Sequence, residues 1–257
     1  MDNTVLIGLS RQTALQRELD VVANNIANIN TTGFKADAAV FAQFLKNGAS
    51  DQNFAASDRR PNFVQDSMSW HDMSQGTIQT TGGPLDVAIN GDGFLVVQTA
   101  AGERYTRNGA LQINNLGQLV TTNGDAVLGD NGPITFQNTD RDIVVNRDGT
   151  IKVREGQSLT SDSTRGKLRL VTFVNPQQLT KDGASLFTAA PGAEAVPLPD
   201  ANIQIVQGAL EKSNVRPVIE MSRMIELTRA YSEIAAVMQQ QGDTRKNSIQ
   251  QLADVPA

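Results

Sequence analysis

Apolar residues recur at helical heptad spacing at both ends of this chain and nowhere between. Near the start, Leu15, Leu19, Val22, Ile26 and Ile29 follow one another at alternating steps of four and three. Near the finish, Met224, Leu227, Tyr231, Ile234 and Met238 do so at steps of three and four. This is the a/d spacing that seats one helix stripe against another. The middle is a series of short apolar runs cut by Asn-Gly and Asp-Gly, the pattern of strands and tight turns. The predicted class is α+β: N- and C-terminal helices paired as a coiled-coil layer, with a central antiparallel β-rich domain. Such a chain suits a subunit that stacks and gives little reason for a catalytic pocket.

Composition narrows the function classes. Of 257 residues, 39% are hydrophobic and 19% charged, enough for a folded core but not a large one. The net charge of −5 supplies no basic patch for phosphates, so a nucleic-acid partner is not expected. Without cysteine, disulfides, thiolate metal sites and a Cys nucleophile are excluded. The longest apolar runs, such as Val5 to Ile7, are far too short to span a membrane. Met1-Asp2-Asn3 opens neither a basic region nor an apolar block, so no cleaved Sec signal is expected. If the protein leaves the cytoplasm, it takes another route.

Four segments are predicted. Residues 1–35 hold the N-terminal helix, running from 3 to 29 over roughly 40 Å. Asp2 or Asn3 caps its start, and Gly33 closes it in the left-handed conformation. Residues 36–75 form a connector, extended or partly mobile, its polar centre running from Asn47 to Asn62 and Trp70 and His71 at its far end. Residues 76–210 form the β-rich domain. Its strands include Leu85–Ile89, Phe94–Val97 and Leu168–Val174, and its turns include Asn90-Gly91, Asn108-Gly109 and Asp182-Gly183. No long helical crossover is available, so the strands are expected antiparallel, in a meander or small barrel-like arrangement. Residues 211–257 hold the C-terminal helix, capped near Asn214 with Pro217 in its first turn. Beyond Gly242 the stripe turns polar, so that part needs a partner to stay helical.

An Asn cluster interrupts the first helix: Asn24, Asn25, Asn28 and Asn30 lie within seven residues. One reading is a frayed, solvated helix end. The other is a set of amides hydrogen-bonding across packed neighbours, since buried polar groups need partners. The expected assembly interface therefore comprises Leu15, Leu19, Val22, Asn24, Asn25, Ile26, Asn28, Ile29, Met224, Leu227, Tyr231, Ile234 and Met238.

Patterns that carry chemistry fail on context. Gly91-Asp92-Gly93 lacks the third glycine of a dinucleotide loop, since Val96 stands there, and a strand follows it. Asp86, Asn90 and Asp92, and Asn123, Asp125 and Asp130, have neither calcium-loop spacing nor a closing Glu. Asn30-Thr31-Thr32 matches a glycosylation acceptor, but a helix C-cap explains it better. The only histidine, His71, has no second ligand or triad partner of its kind, so a packing or surface role is expected. No serine sits in a nucleophile elbow. Catalytic, cofactor and metal sites are all expected to be absent. The rival class is a secreted β-rich carbohydrate hydrolase, which needs a carboxylate pair in a cleft.

The same residues resemble a family. Ala23-Asn24-Asn25-Ile26-Ala27-Asn28-Ile29-Asn30-Thr31-Thr32-Gly33-Phe34-Lys35 is similar to the N-terminal signature of the bacterial flagellar axial proteins, the rod, hook and hook-associated subunits. Ile26 and Ile29 stand where Leu and Val are usual. Ser213 to Met221, with Met224-Ile225 and Arg229-Ala230-Tyr231, resembles their C-terminal signature. Arg216 replaces the common Asn before Pro217. Gly83 to Phe94, Tyr105 to Gly109, Val120 to Gly129 and Phe173 to Leu179 look like the β domain of the longer basal-body rod proteins. Met1-Asp2, Gly102 to Gly109 and Asn175 to Leu179 look more like the proximal rod class, with a distal-rod or hook-type subunit as the alternative.

The resemblance implies a structural subunit of the flagellar basal-body rod, self-assembling through its terminal helices, needed for motility and not an enzyme. It implies as partners other rod subunits, further copies of itself and the flagellar type III export apparatus. It places the chain in the periplasm-spanning rod, exported without a cleaved signal peptide.

Overall fold

A computed structural model of the protein describes residues 2–45, 62–155, 162–183, 185–190, 193, 195–199 and 204–253. The chain divides into two compact units. A helical unit comprises Met1–Ala27, Asp37–Trp70 and Arg216–Ala257, and a β-rich unit comprises Asn28–Ala36 and His71–Val215.

Two helices dominate the helical unit: α1 at Asp2–Ala27 and α2 at Pro217–Ala253. They run antiparallel, because early α1 residues meet late α2 residues. A side chain at Gly8 would collide with Met238, Gln12 Nε2 donates to Tyr231 Oη at 2.9 Å, and Arg223 Nε donates to Glu18 Oε1 at 3.1 Å. Ala14, Val22 and Leu227 are buried.

Three boundaries differ from the sequence reading. First, α1 stops at Ala27, because Asn28 to Asn30 turn away: the Asn28 carbonyl accepts the Thr31 N–H at 3.2 Å and its Oδ1 accepts the Thr31 hydroxyl at 3.0 Å. Ile29, counted in the stripe, therefore lies off the helix and in the β-rich unit.

Second, α2 begins at Pro217 rather than near Asn214. Glu211 belongs to a strand, Ala209–Glu211, paired with Ile78–Thr80. The Arg216 carbonyl accepts the Glu220 N–H at 3.1 Å, which makes Pro217 the first helical residue, where no N–H donor is needed.

Third, the predicted connector 36–75 contains two strands, Asp37–Leu45 and Asn62–His71, paired in a two-stranded sheet. Asp66 breaks the apolar alternation of Val64, Met68 and Trp70, which hid the second strand. Positions 47–61 of the Asn47 to Asn62 reading lie outside the described residues.

The β-rich unit is antiparallel at every described pairing, and largely a meander. Phe94–Thr99 pairs with Gly102–Thr106, Leu111–Ile113 with Leu119–Thr121, and Leu179–Lys181 with Leu186–Ala189. Phe94-Leu95-Val96-Val97 is a continuous apolar run because both faces of this strand are covered. Leu95 and Val97 join a core with Leu119, Val127, Ile151 and Leu168, while Phe94 and Val96 join a second with Tyr105, Phe173 and Phe187. In the second core, Phe94 meets Phe173 edge-on at 5.7 Å and Phe187 at 5.8 Å. His71 packs edge-on to Phe187 at 6.1 Å, in line with a packing role. Asn108-Gly109 is not a hairpin turn: it links Gly102–Thr106 to Leu111–Ile113, which pair with other strands.

Candidate assembly site

The C-terminal stripe faces α1 only in part. Leu227 is buried, Tyr231 is half-buried with its hydroxyl bonded to Gln12, and Ile234 and Met238 are half-buried, but Met224 stays exposed. On α1, Val22 is buried, and Leu15, Leu19 and Ile26 are half-buried. A second apolar row, at steps of three and four, was not singled out from the sequence. Val218, Met221 and Ile225 are 77%, 52% and 54% exposed. Within the helical unit α2 thus carries one apolar face toward α1 and another with no cover. An exposed apolar row of this kind is a candidate interaction surface.

The Asn cluster divides. Asn25 is buried and binds one residue in both directions: its Nδ2 donates to the Asp37 carbonyl at 2.8 Å, and its Oδ1 accepts the Asp37 N–H at 2.9 Å. These bonds stay within the chain and fasten the start of a strand to the last turn of α1. Asn24 and Asn30 are exposed, and Asn28 is half-buried in the turn. Replacing Asn25 with Ala is therefore expected to raise intrinsic helix propensity yet destabilise the helical unit by about 1–3 kcal/mol, since the Asp37 backbone loses both partners. Asn30→Ala, at an exposed position, should stay within about 0.5 kcal/mol. Urea unfolding followed by circular dichroism separates the two; equal effects would refute the division.

The two sequence signatures meet inside the β-rich unit. Lys35, the last residue of the first, is fully buried, and its Nζ donates to Glu211 Oε1 at 2.7 Å and to the Ser74 carbonyl at 2.6 Å. Glu211 also accepts the Gly76 N–H at 2.8 Å and, at Oε2, the Arg107 Nη1–H at 3.3 Å. Arg107 lies 5.0 Å over the Phe94 ring. One carboxylate thus serves two buried cations. Burial, and then the neighbouring Arg107, hold the Lys35 pKa below its ordinary value, against the opposing pull of Glu211.

Backbone bonds complete this node. The Gly33 N–H donates to the Glu211 carbonyl at 2.8 Å, and the Ala36 N–H donates to Asn214 Oδ1 at 2.8 Å. Asn214 Nδ2 donates to the Asp72 carbonyl at 2.7 Å, so this side chain ties three segments together and does not cap α2. Lys181 lies 3.9 Å over the Phe34 ring and donates to the Lys35 carbonyl at 2.7 Å. The residues that follow α1 and precede α2 in sequence are thereby fixed to each other. Only Glu211 had a readable signal: in Ala209-Leu210-Glu211, period-two alternation puts the carboxylate on the same face as a buried alanine.

Comparison with known proteins covers the same segments. The family described as "Flagella basal body rod protein" matches residues 6–35. "Flagellar hook protein FlgE/F/G D1 domain" matches 88–153, and "Flagellar basal body rod FlgEFG protein C-terminal" matches 206–252. The chain is 38% identical to a flagellar basal-body rod protein FlgF of Caulobacter vibrioides, over 99% of this chain and 100% of that one. It is 36% identical to the FlgF of Salmonella typhimurium over 90% of each chain. It is 35% identical to a flagellar basal-body rod protein FlgG of Buchnera aphidicola, over 85% of this chain and 87% of that one.

Proposed function

This chain belongs to the flagellar basal-body rod protein family, as a FlgF-like member, and from that premise we propose that its terminal helices form a coiled-coil layer through which rod subunits hold one another. It is a structural subunit. The observation that carries the assembly reading is the double-faced α2: one apolar face turns to α1, and Val218, Met221 and Ile225 form a second. A head-to-tail contact that does not close generates a helical filament, and the uncovered face suits such a neighbour.

Torque passes through packed side chains, so stiffness is the function and no catalytic group is called for. The node of Lys35, Arg107, Glu211 and Asn214 ties together, inside the β-rich unit, the segments that follow α1 and precede α2 in sequence. The proposed place is the proximal, periplasm-spanning rod, reached through the type III export apparatus without a cleaved signal. The proposed partners are other rod subunits and further copies of this chain. Among the described residues, no helix is long and apolar enough to cross a membrane.

Leu19→Asp and Ile234→Asp test this reading. Each puts a charge into a half-buried helix contact, where an unpaired charge is costly. In cells lacking the native copy, both variants are expected to be produced, to keep the melting transition of the β-rich unit and to abolish motility. Immunogold labelling of purified basal bodies should find the unaltered chain in the rod. Motility surviving both changes would show that the coiled-coil layer is misassigned.

A further inference from the structure

Three buried side-chain polar atoms have no hydrogen-bond partner among the described residues. One, Glu220 Oε2, lies on α2. The other two, Arg107 Nε and Ser185 Oγ, belong to the β-rich unit, at the place where Gly102–Thr106 and Leu186–Ala189 part. Tyr105 opposes Phe187 and Thr106 opposes Leu186, so the next step of the ladder sets Arg107 against Ser185. Residues opposed in an antiparallel ladder share a face. The chains are still in touch at this step, because the Thr106 hydroxyl donates to the Ser185 carbonyl at 2.9 Å.

Water at the surface does not serve either group: Arg107 is 3% and Ser185 5% exposed. A buried donor left unpaired is costly, and in a native fold it calls for a partner. Ser185 adds backbone strain. Its φ is 62°, in the left-handed region that serine seldom enters. Strain of this kind gathers at ligand clamps.

Charge is out of balance at the same place. Lys35 and Arg107 share the carboxylate of Glu211. Burial, and then the charge of Arg107, hold the Lys35 pKa down, so the two cations lie within electrostatic reach of each other. Lys181, over the Phe34 ring, adds a third cation, and the half-buried Asp72 adds a second carboxylate. Three positive groups against two negative leave an excess of one. Phe94 covers one face of the Arg107 guanidinium and Nη1 donates to Glu211, so the in-plane Nε–H is left as a buried donor.

We propose that Arg107 and Ser185 hold a small monovalent anion, a halide, by donating the Nε–H and the hydroxyl to it. Two donors and one surplus charge suit a halide. A phosphate or sulfate brings more charge and needs more donors than these two groups supply. A water molecule would accept from both groups but leave the charge uncompensated. Every residue of the site belongs to the β-rich unit, so the proposal stands or falls separately from the helical assembly reading.

The test is urea unfolding of the full-length protein, following the transition of the β-rich unit, in sodium bromide and in sodium gluconate at equal ionic strength. A ligand that binds only the folded state raises the folded-to-unfolded ratio in proportion to its concentration above Kd. That ratio should therefore rise about tenfold for each tenfold rise in bromide, and not with gluconate. Ser185→Gly keeps the left-handed turn and removes the hydroxyl. It should be at least as stable as the unaltered protein in gluconate and should lose the bromide response; a hydroxyl that merely packs would not separate the two. General salt effects are common to both chains, so the difference between them reports the site. Lys35→Met removes the surplus charge and should weaken the response with both donors intact. Crystals grown from bromide should show an anomalous peak within hydrogen-bonding distance of Arg107 Nε and Ser185 Oγ. Equal stability in the two salts overturns the proposal, as does a bromide response undiminished in Ser185→Gly or in Lys35→Met. Water at this place, or anomalous peaks only elsewhere on the molecule, which is an adventitious ion only, overturns it as well.

Discussion

Glu211→Gln is expected to destabilise the β-rich unit by about 3–5 kcal/mol, the range for leaving buried charge uncompensated. The reason is the stoichiometry of the node. Among the described residues, Glu211 is the one carboxylate hydrogen-bonded to the two buried cations Lys35 and Arg107. Its loss strands both. Lys35→Met should cost less, about 1–3 kcal/mol, because Arg107 and Glu211 are left as a one-to-one pair and the main loss is the hydrogen bond to Ser74. Denaturant unfolding of the two variants beside the unaltered protein measures the order. If Lys35→Met proves the more damaging, the two-cation description of the node is wrong.

The same node has a pH signature whose sign is fixed. The folded-state pKa of Lys35 lies below its ordinary value of 10.5, chiefly through burial. Between those two values the unfolded chain holds the extra proton, so the stability set by this group rises with pH across that window. Below the window it is constant, at its lower level. Lys35→Met should abolish that rise, which stability measured at a series of pH values approaching 10.5 from below would detect.

The helices and the strand-rich middle were legible because their signals are periodic. Heptad steps marked α1 and α2, and the apolar runs between Asn-Gly and Asp-Gly pairs marked strands such as Phe94–Thr99 and Leu170–Phe173. The node was not legible, for a physical reason. Lys35, Arg107 and Glu211 lie far apart in sequence, and a charged residue in a short strand or loop reads as solvated unless its partners are known. Asn24, Asn25, Asn28 and Asn30 read as one group in the sequence because composition does not show which amide faces a backbone. The end of α1 was misplaced for the same reason: Ile29 continues the heptad, and only the Thr31 bonds to Asn28 show that the chain has already turned. The row of Val218, Met221 and Ile225 is masked in the sequence because α2 carries two apolar faces and the longer one dominates the periodicity.

Gly33→Ala should be nearly as damaging as the loss of Glu211, and by a different route. Gly33 has a φ of 67°, and a Cβ there would lie 2.5 Å from the Arg107 carbonyl carbon and the Asn108 nitrogen. These are backbone atoms, so no side chain can swing aside. The left-handed conformation alone costs Ala about 1–2 kcal/mol. Gly82 isolates that part: its φ is 76°, and a Cβ would meet nothing within 4 Å. Gly82→Ala should therefore show the conformational cost only. Gly33→Ala adds the collision, for a total of about 3 kcal/mol or more. To relieve the collision the Gly33 segment must withdraw, which breaks its 2.8 Å bond to the Glu211 carbonyl and draws Lys35, two residues on, away from the carboxylate. Destabilisation of the β-rich unit with the far-UV helical signal of α1 and α2 retained is the expected result. Equal losses in Gly33→Ala and Gly82→Ala would mean that the close approach to Arg107 and Asn108 contributes nothing, and that the signature segment is held by its ion pairs alone.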